Sequence, residues 1–157
     1  MKKSKWLFIF PVALMAIIFI FSNMPYEEQD IKPFLKENVE LGGSSSFEFT
    51  YDGNVVSTAD PYDFIEFILR KSGHIIGYFV LTMVWLIVLS RFISSLRWIT
   101  LFSFILSVGY AGLDEFHQTF IPGRSGHIID VLSVDMLGVL LAIGVFLIVR
   151  WRNKRRK

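Results

Sequence analysis

The sequence predicts an all-α protein of four transmembrane helices with a small extracytoplasmic elaboration of short amphipathic helices and a β-hairpin. Three observations predict it. The 157 residues are 53% hydrophobic and 19% charged, and the charges avoid four long runs. Each run, about 6–23, 73–91, 96–116 and 128–151, is near the roughly 17–25 residues that cross a bilayer as a helix. Lys and Arg then fall consistently to one side of these runs. Residues 1–157 form one domain by length, and the absence of cysteine excludes disulfides and Cys-type metal sites.

Lys2, Lys3 and Lys5 precede the first span. Arg91 and Arg97 bracket the turn between the second and third. Arg150, Arg152, Lys154, Arg155, Arg156 and Lys157 follow the fourth. With four spans these groups share a side, so both termini are expected in the cytoplasm. Residues 24–69 hold ten acids against two lysines, as suits a translocated loop. Loops 24–70 and 117–127 are therefore expected outside. The segment after the first span, Ser22-Asn23-Met24-Pro25, lacks a small-x-small cleavage pattern, so that span is expected to remain as an anchor.

The first span is apolar apart from Pro11, which should kink it or mark a local break. Between Tyr26 and Leu41, Ile31, Phe34, Leu35, Val39 and Leu41 lie near helical spacing, and Gly42-Gly43 is a stop signal. Phe47–Tyr51 alternates, Asp52-Gly53-Asn54 supplies turn chemistry and Val55-Val56 follows, which predicts a hairpin. It carries no catalytic pattern, and covering the domain is its expected role.

Asp60-Pro61 is a helix start, and the helix should lie along the interface or continue into the second span. Lys71, His74, Tyr78, Thr82 and Trp85 then share one narrow face at 100° per residue. Snorkelling by Lys71 and packing by the aromatics would explain part of this face. An ionisable group such as His74 inside a span marks a site by default. On the third span, Ser103, Ser107, Tyr110, Asp114, His117 and Gln118 form one polar stripe, with Phe116 pointing the opposite way.

The run Asp114–His127 concentrates two carboxylates, two imidazoles, an amide and a guanidinium between apolar segments. Pro122–Gly126 is a tight turn that cannot continue a helix. It enters the fourth span, whose N-terminus is a candidate anion cradle, with Arg124 as a fork to the same anion. Pairing of Arg124 with Asp114, Glu115 or Asp130 is the alternative. On the fourth span His127, Asp130, Val131, Val134, Asp135, Gly138 and Ala142 occupy one broad side. Asp135 lies about 10 Å in from the helix start and must be protonated or matched with a base. Gly138 and Ala142 would permit close helix approach.

Lys71-x-x-His74-x-x-x-Tyr78, Asp114-Glu115-x-x-Gln118-x-Phe120-x-Pro122-Gly123-Arg124 and Asp130-x-x-x-x-Asp135-x-x-Gly138 resemble the VanZ family over about 71–144. Ser22-Asn23 is a weaker echo of a Ser-x-Gln-like signal in that family, which often has Asn where Asp135 stands. The resemblance implies a small multi-spanning protein of a bacterial cytoplasmic membrane, associated with resistance to teicoplanin-type glycopeptides.

The preferred functional expectation is an outward-facing site that binds a lipid headgroup or cell-envelope precursor. Its binding residues would be Lys71, His74, Tyr78, Asp114, Glu115, Gln118, Arg124, Asp130 and Asp135. A hydrolase or phosphotransferase using Asp114, Glu115, His74 and His117 is the second class. That enzyme could work with or without a divalent metal, since His74, His117, Asp114, Glu115 and Asp130 are ligands enough in number. The usual zinc spacings are missing, so no metal is assigned and the cofactor is left open. Proton-coupled transport through Asp135, or an outer loop that shields wall precursors, completes the set. The expected partners are the lipid bilayer and a lipid-linked cell-wall precursor or glycopeptide, with no nucleic acid. An oligomer is compatible with four spans.

Overall fold

The computed structural model describes residues 5–40, 47–124 and 126–156. Lys2, Lys3, Leu41 to Gly43, Ser125 and Lys157, which figure in the expectations above, lie outside the described residues. The elements are α1 (Lys5–Ser22), α2 (Tyr26–Gln29), α3 (Lys32–Asn38), β1 (Glu48–Tyr51), β2 (Asn54–Ser57), α4 (Pro61–Ser90), α5 (Leu96–Gln118) and α6 (Ile128–Arg155). The chain is mostly helical, and α1, α4, α5 and α6 are long and apolar enough to cross a membrane.

The first turn of α1, Lys5–Phe8, is a 3-10 turn, and α-geometry begins at Ile9. Pro11 thus falls in the first α-helical turn, where a missing N–H loses no intrahelical bond. The single outer helix suggested for Tyr26–Leu41 divides into α2 and α3, with Asp30 extended between them and Pro33 in the first turn of α3. Pro33 has no N–H to bond back to the Gln29 carbonyl four residues earlier, and its ring clashes with that carbonyl, so one continuous helix cannot form. The two β-strands pair Tyr51 with Asn54 across a two-residue turn. Asp52 and Gly53 both have positive φ, 48° and 79°, as a type I′ turn requires.

Helix α4 is the axis of the molecule. Asp60 caps it by accepting from the backbone N–H groups of Tyr62 (3.0 Å) and Asp63 (3.2 Å). The helix then runs without interruption to Ser90, so the interfacial start and the second span are one element. Tyr78, Leu81, Trp85, Leu86 and Leu89 of α4 pack with Ile99 and Ala111 of α5 and Val131 and Val139 of α6. Gly138 is why α6 comes so close. A Cβ there would lie 2.4 Å from the Ile75 carbonyl oxygen and 3.1 Å from the Phe79 nitrogen. Helix α1 is peripheral, leaning Phe8 on Trp85 (6.2 Å between ring centroids) and Phe92 (5.1 Å). The outward surfaces are apolar, with Phe116 at 64% exposure as the stripe on α5 requires.

One irregularity bears on the site. Val131–Asp135 forms a π-helical turn inside α6. In a regular α-helix Asp130 and Asp135 would point about 140° apart. The wider turn brings both carboxylates into the interior, at 7% and 1% exposure.

Candidate functional site

Helix α4 presents its polar groups to α5 and α6 as a ladder. Lys71 Nζ donates to Asp130 Oδ1 at 2.5 Å. One turn on, His74 Nδ1 lies 3.0 Å from Asp135 Oδ1. The next turn places the Tyr78 hydroxyl 3.4 Å from Asp114 Oδ2, and Thr82 donates to Ser107 at 2.8 Å. Gln118 donates to the same Asp114 oxygen at 3.1 Å. The four-residue spacing on α4 and the stripe on α5 therefore face one another. A polar group flanked by lipid has few other partners, which is why the faces match.

Glu115 extends the cluster toward the turn. Its Oε2 accepts from the His127 backbone N–H at 2.8 Å. The expected open cradle at the start of α6 is thus engaged by the chain's own carboxylate, which suits the positive end of the helix. Glu115, His74 and Asp135 each offer a ligand atom within 4.8 Å of the others. Among the described residues, Asp114 Oδ1, Glu115 Oε1 and Asp135 Oδ2 are buried without a hydrogen-bond partner.

Arg124 reaches the cluster from the loop. It donates to the Ser22 carbonyl oxygen at 3.1 Å and to Gln29 Oε1. Among the described residues it forms no ion pair, and its Nε–H is buried and unpartnered. The alternative pairing with Asp114, Glu115 or Asp130 is not made. Lys71 already neutralises Asp130, and Arg124 is tied to the end of α1. Burial, then the Arg70 charge, lowers its hold on its proton.

Two openings meet here. A polar cavity of about 570 Å³ lies beneath the hairpin, lined among others by Tyr51, Lys71, Gln118 and Asp130. An apolar groove of about 510 Å³ includes Leu14, Ile17 and Phe21 of α1 with Ile76 and Val80 of α4. Arg70, His74, Gln118 and Arg124 line both.

Lys71, His74, Tyr78, Asp114, Glu115, Gln118, Asp130 and Asp135 are therefore one connected cluster, with Arg124 at its edge. His117 is not part of it. Its Nε2 lies 3.2 Å from Asn23 Oδ1 and its ring 4.7 Å from that of Phe19, on the α1 side.

Several members were not evident in the sequence. Tyr51, on the hairpin, donates to Asp130 Oδ1 at 2.5 Å and contacts Ser133 Oγ at 3.0 Å. Its phenol is pushed up to about 12 by burial and then by the bond to Asp130, so it stays protonated. Glu66, at 4% exposure, accepts from the Tyr26 hydroxyl at 3.1 Å and pairs with Lys32 (3.6 Å) and Arg70 (3.8 Å). Gln29 and Ser22 are seen only through Arg124. The aromatic residue nearest the turn was the available signal for Tyr51, but no sequence spacing gives the docking partner of a hairpin.

No curated protein and no solved structure matches the chain significantly. The family model described as VanZ/LLP1 matches residues 7–150, taking in most of α1, the elements between α1 and α4, and most of α6. The motifs that built the cluster lie inside that match. This multi-helix membrane protein belongs to the VanZ/LLP1 family.

Proposed function

We propose that the chain binds the anionic headgroup of a lipid or lipid-linked cell-envelope precursor at the outer face of a bacterial cytoplasmic membrane. Interference with teicoplanin-type glycopeptides would follow from that binding. One observation carries the proposal. Arg124 is a half-buried guanidinium without a carboxylate partner among the described residues, standing where the polar cavity joins the apolar groove. A cation with unused N–H capacity recognises phosphate or carboxylate. A groove opening from the same point accommodates an acyl or isoprenoid chain, as an amphiphile needs.

In this reading Arg124 and Arg70 hold the anion. Asp114 and Gln118 accept and donate to sugar or amide groups next to it. Lys71 is held by Asp130 and shapes the wall. The Lys and Arg distribution supports an orientation with both termini in the cytoplasm and the hairpin and Arg124 outside.

The test compares wild type with Arg124→Ala and Asp114→Ala, each confirmed to be inserted and monodisperse. Teicoplanin susceptibility is measured in cells, and capture of an undecaprenyl-phosphate-linked precursor is measured in nanodiscs. Loss of both in Arg124→Ala is expected. Unchanged capture and unchanged susceptibility in both variants refute the proposal.

A further inference from the structure

We infer that His74, Glu115 and Asp135 form a binding site for one divalent transition-metal ion of the zinc or manganese type. The inference is independent of what the cavity binds. These residues come from α4, α5 and α6, and one ligand atom from each lies within 4.8 Å of the other two. Ligands about 2.0–2.2 Å from zinc stand roughly 3–3.5 Å apart, so closing onto an ion takes roughly an ångström of side-chain rotation. His74 Nδ1 and Asp135 Oδ1, which share a hydrogen bond at 3.0 Å without an ion, already stand at such a spacing.

A second observation points to a missing partner. Asp135 is 1% exposed and Glu115 4% exposed, yet Asp135 Oδ2 and Glu115 Oε1 have no hydrogen-bond donor among the described residues. Native proteins rarely leave buried carboxylate oxygens so. The other oxygen of Glu115 is fixed by the His127 N–H at 2.8 Å, the kind of outer support that orients a ligating carboxylate. Lys71 is spent on Asp130, so it does not neutralise these carboxylates. As ligands, two carboxylates and an imidazole would supply a charge of −2, which one divalent ion cancels. One imidazole with two carboxylates suits zinc or manganese better than the soft copper(I) or the all-oxygen preference of calcium. His74 lines both cavities, which gives the ion access from water.

The test uses full-length protein in nanodiscs, free of any tag and stripped with a chelator. Zn²⁺ or Mn²⁺ is added, bound metal per chain is measured by mass spectrometry, and unfolding is followed thermally. Wild type should take up about one ion and melt several degrees higher with it. His74→Ala and Glu115→Gln should weaken uptake at least about tenfold. Glu115→Gln should match or exceed the stability of stripped wild type, because a buried charge is gone. That separates lost ligation from misfolding. Stripped wild type that is folded but binds no more metal than these variants, or a Glu115→Gln protein that binds undiminished, overturns the inference. A cluster neutralised by protons alone gives the first of those results.

Discussion

Gly138→Ala tests whether packing of α6 on α4 builds the polar cluster. The added Cβ would stand 2.4 Å from the Ile75 oxygen, whereas ordinary contact begins at 3.4 Å, so α6 must retreat by about 1 Å. Ile75 adjoins His74, and the same displacement would stretch the His74–Asp135 contact from 3.0 Å to beyond hydrogen-bonding reach. Overpacking costs about 1–3 kcal/mol. Losing a charge-assisted bond costs about 1.5–3 kcal/mol. Alanine returns about 1 kcal/mol through its better helix propensity. The net is about 3 kcal/mol, roughly a hundredfold in the unfolding equilibrium. Reversible unfolding in bicelles measures it directly. Gly144→Ala is the matched control on the same helix, since a Cβ there meets nothing within 4 Å, and it should be neutral or slightly stabilising. A Gly138→Ala protein within about 0.5 kcal/mol of wild type would refute the coupling of close approach to the site.

Lys71→Met should destabilise by about 3–5 kcal/mol by stranding Asp130, and Lys71→Met with Asp130→Asn should recover much of that, as a double-mutant cycle will show. Tyr51→Phe should cost about 1 kcal/mol and expose the hairpin to proteolysis, because it removes the bonds to Asp130 and Ser133. The Tyr51 phenol ionises near 10 in an unfolded chain and at about 12 here, so hairpin docking should weaken as pH rises above 10. Tyr51→Phe should lack that alkaline loss. Because the chain has no cysteine, Asn54→Cys and Asn153→Cys make a clean topology pair. An impermeant thiol reagent should label the first in intact cells and the second only after permeabilisation. Labelling of Asn153→Cys in intact cells would reverse the orientation.

The spans and one face of the site could be read from periodicity because polar residues in apolar helices have few places to go. Lys71, His74, Tyr78 and Thr82 recur every three or four residues, and each found a partner on α5 or α6. Spacing does not choose among the available acids. That Lys71 takes Asp130 and His74 takes Asp135 depends on the axial stagger of the helices. His117 shows the limit of the same reasoning, since it sits on the α5 stripe but turns to Asn23. The role of Tyr51 was hidden for a different reason. A four-residue strand announces its turn chemistry, while its docking position depends on the aromatic contacts of Tyr51 and Phe67 (5.4 Å), made only in the folded chain. The π-helical turn was not legible either, because regular helical periodicity carries no mark of a single wide turn.

That turn divides the last membrane helix into two stretches whose rotations are set separately. The N-terminal stretch aims Asp130 at Lys71 and the hairpin, while the C-terminal one aims Asp135 and Gly138 at His74 and Ile75. Ordinary winding with every residue kept would set the two carboxylates about 140° apart, whereas deleting one residue from the turn would leave them about 40° apart, still on one face. The wide turn is thus what lets two acids five residues apart share one interior side, with the join at Val131–Asp135 absorbing the twist.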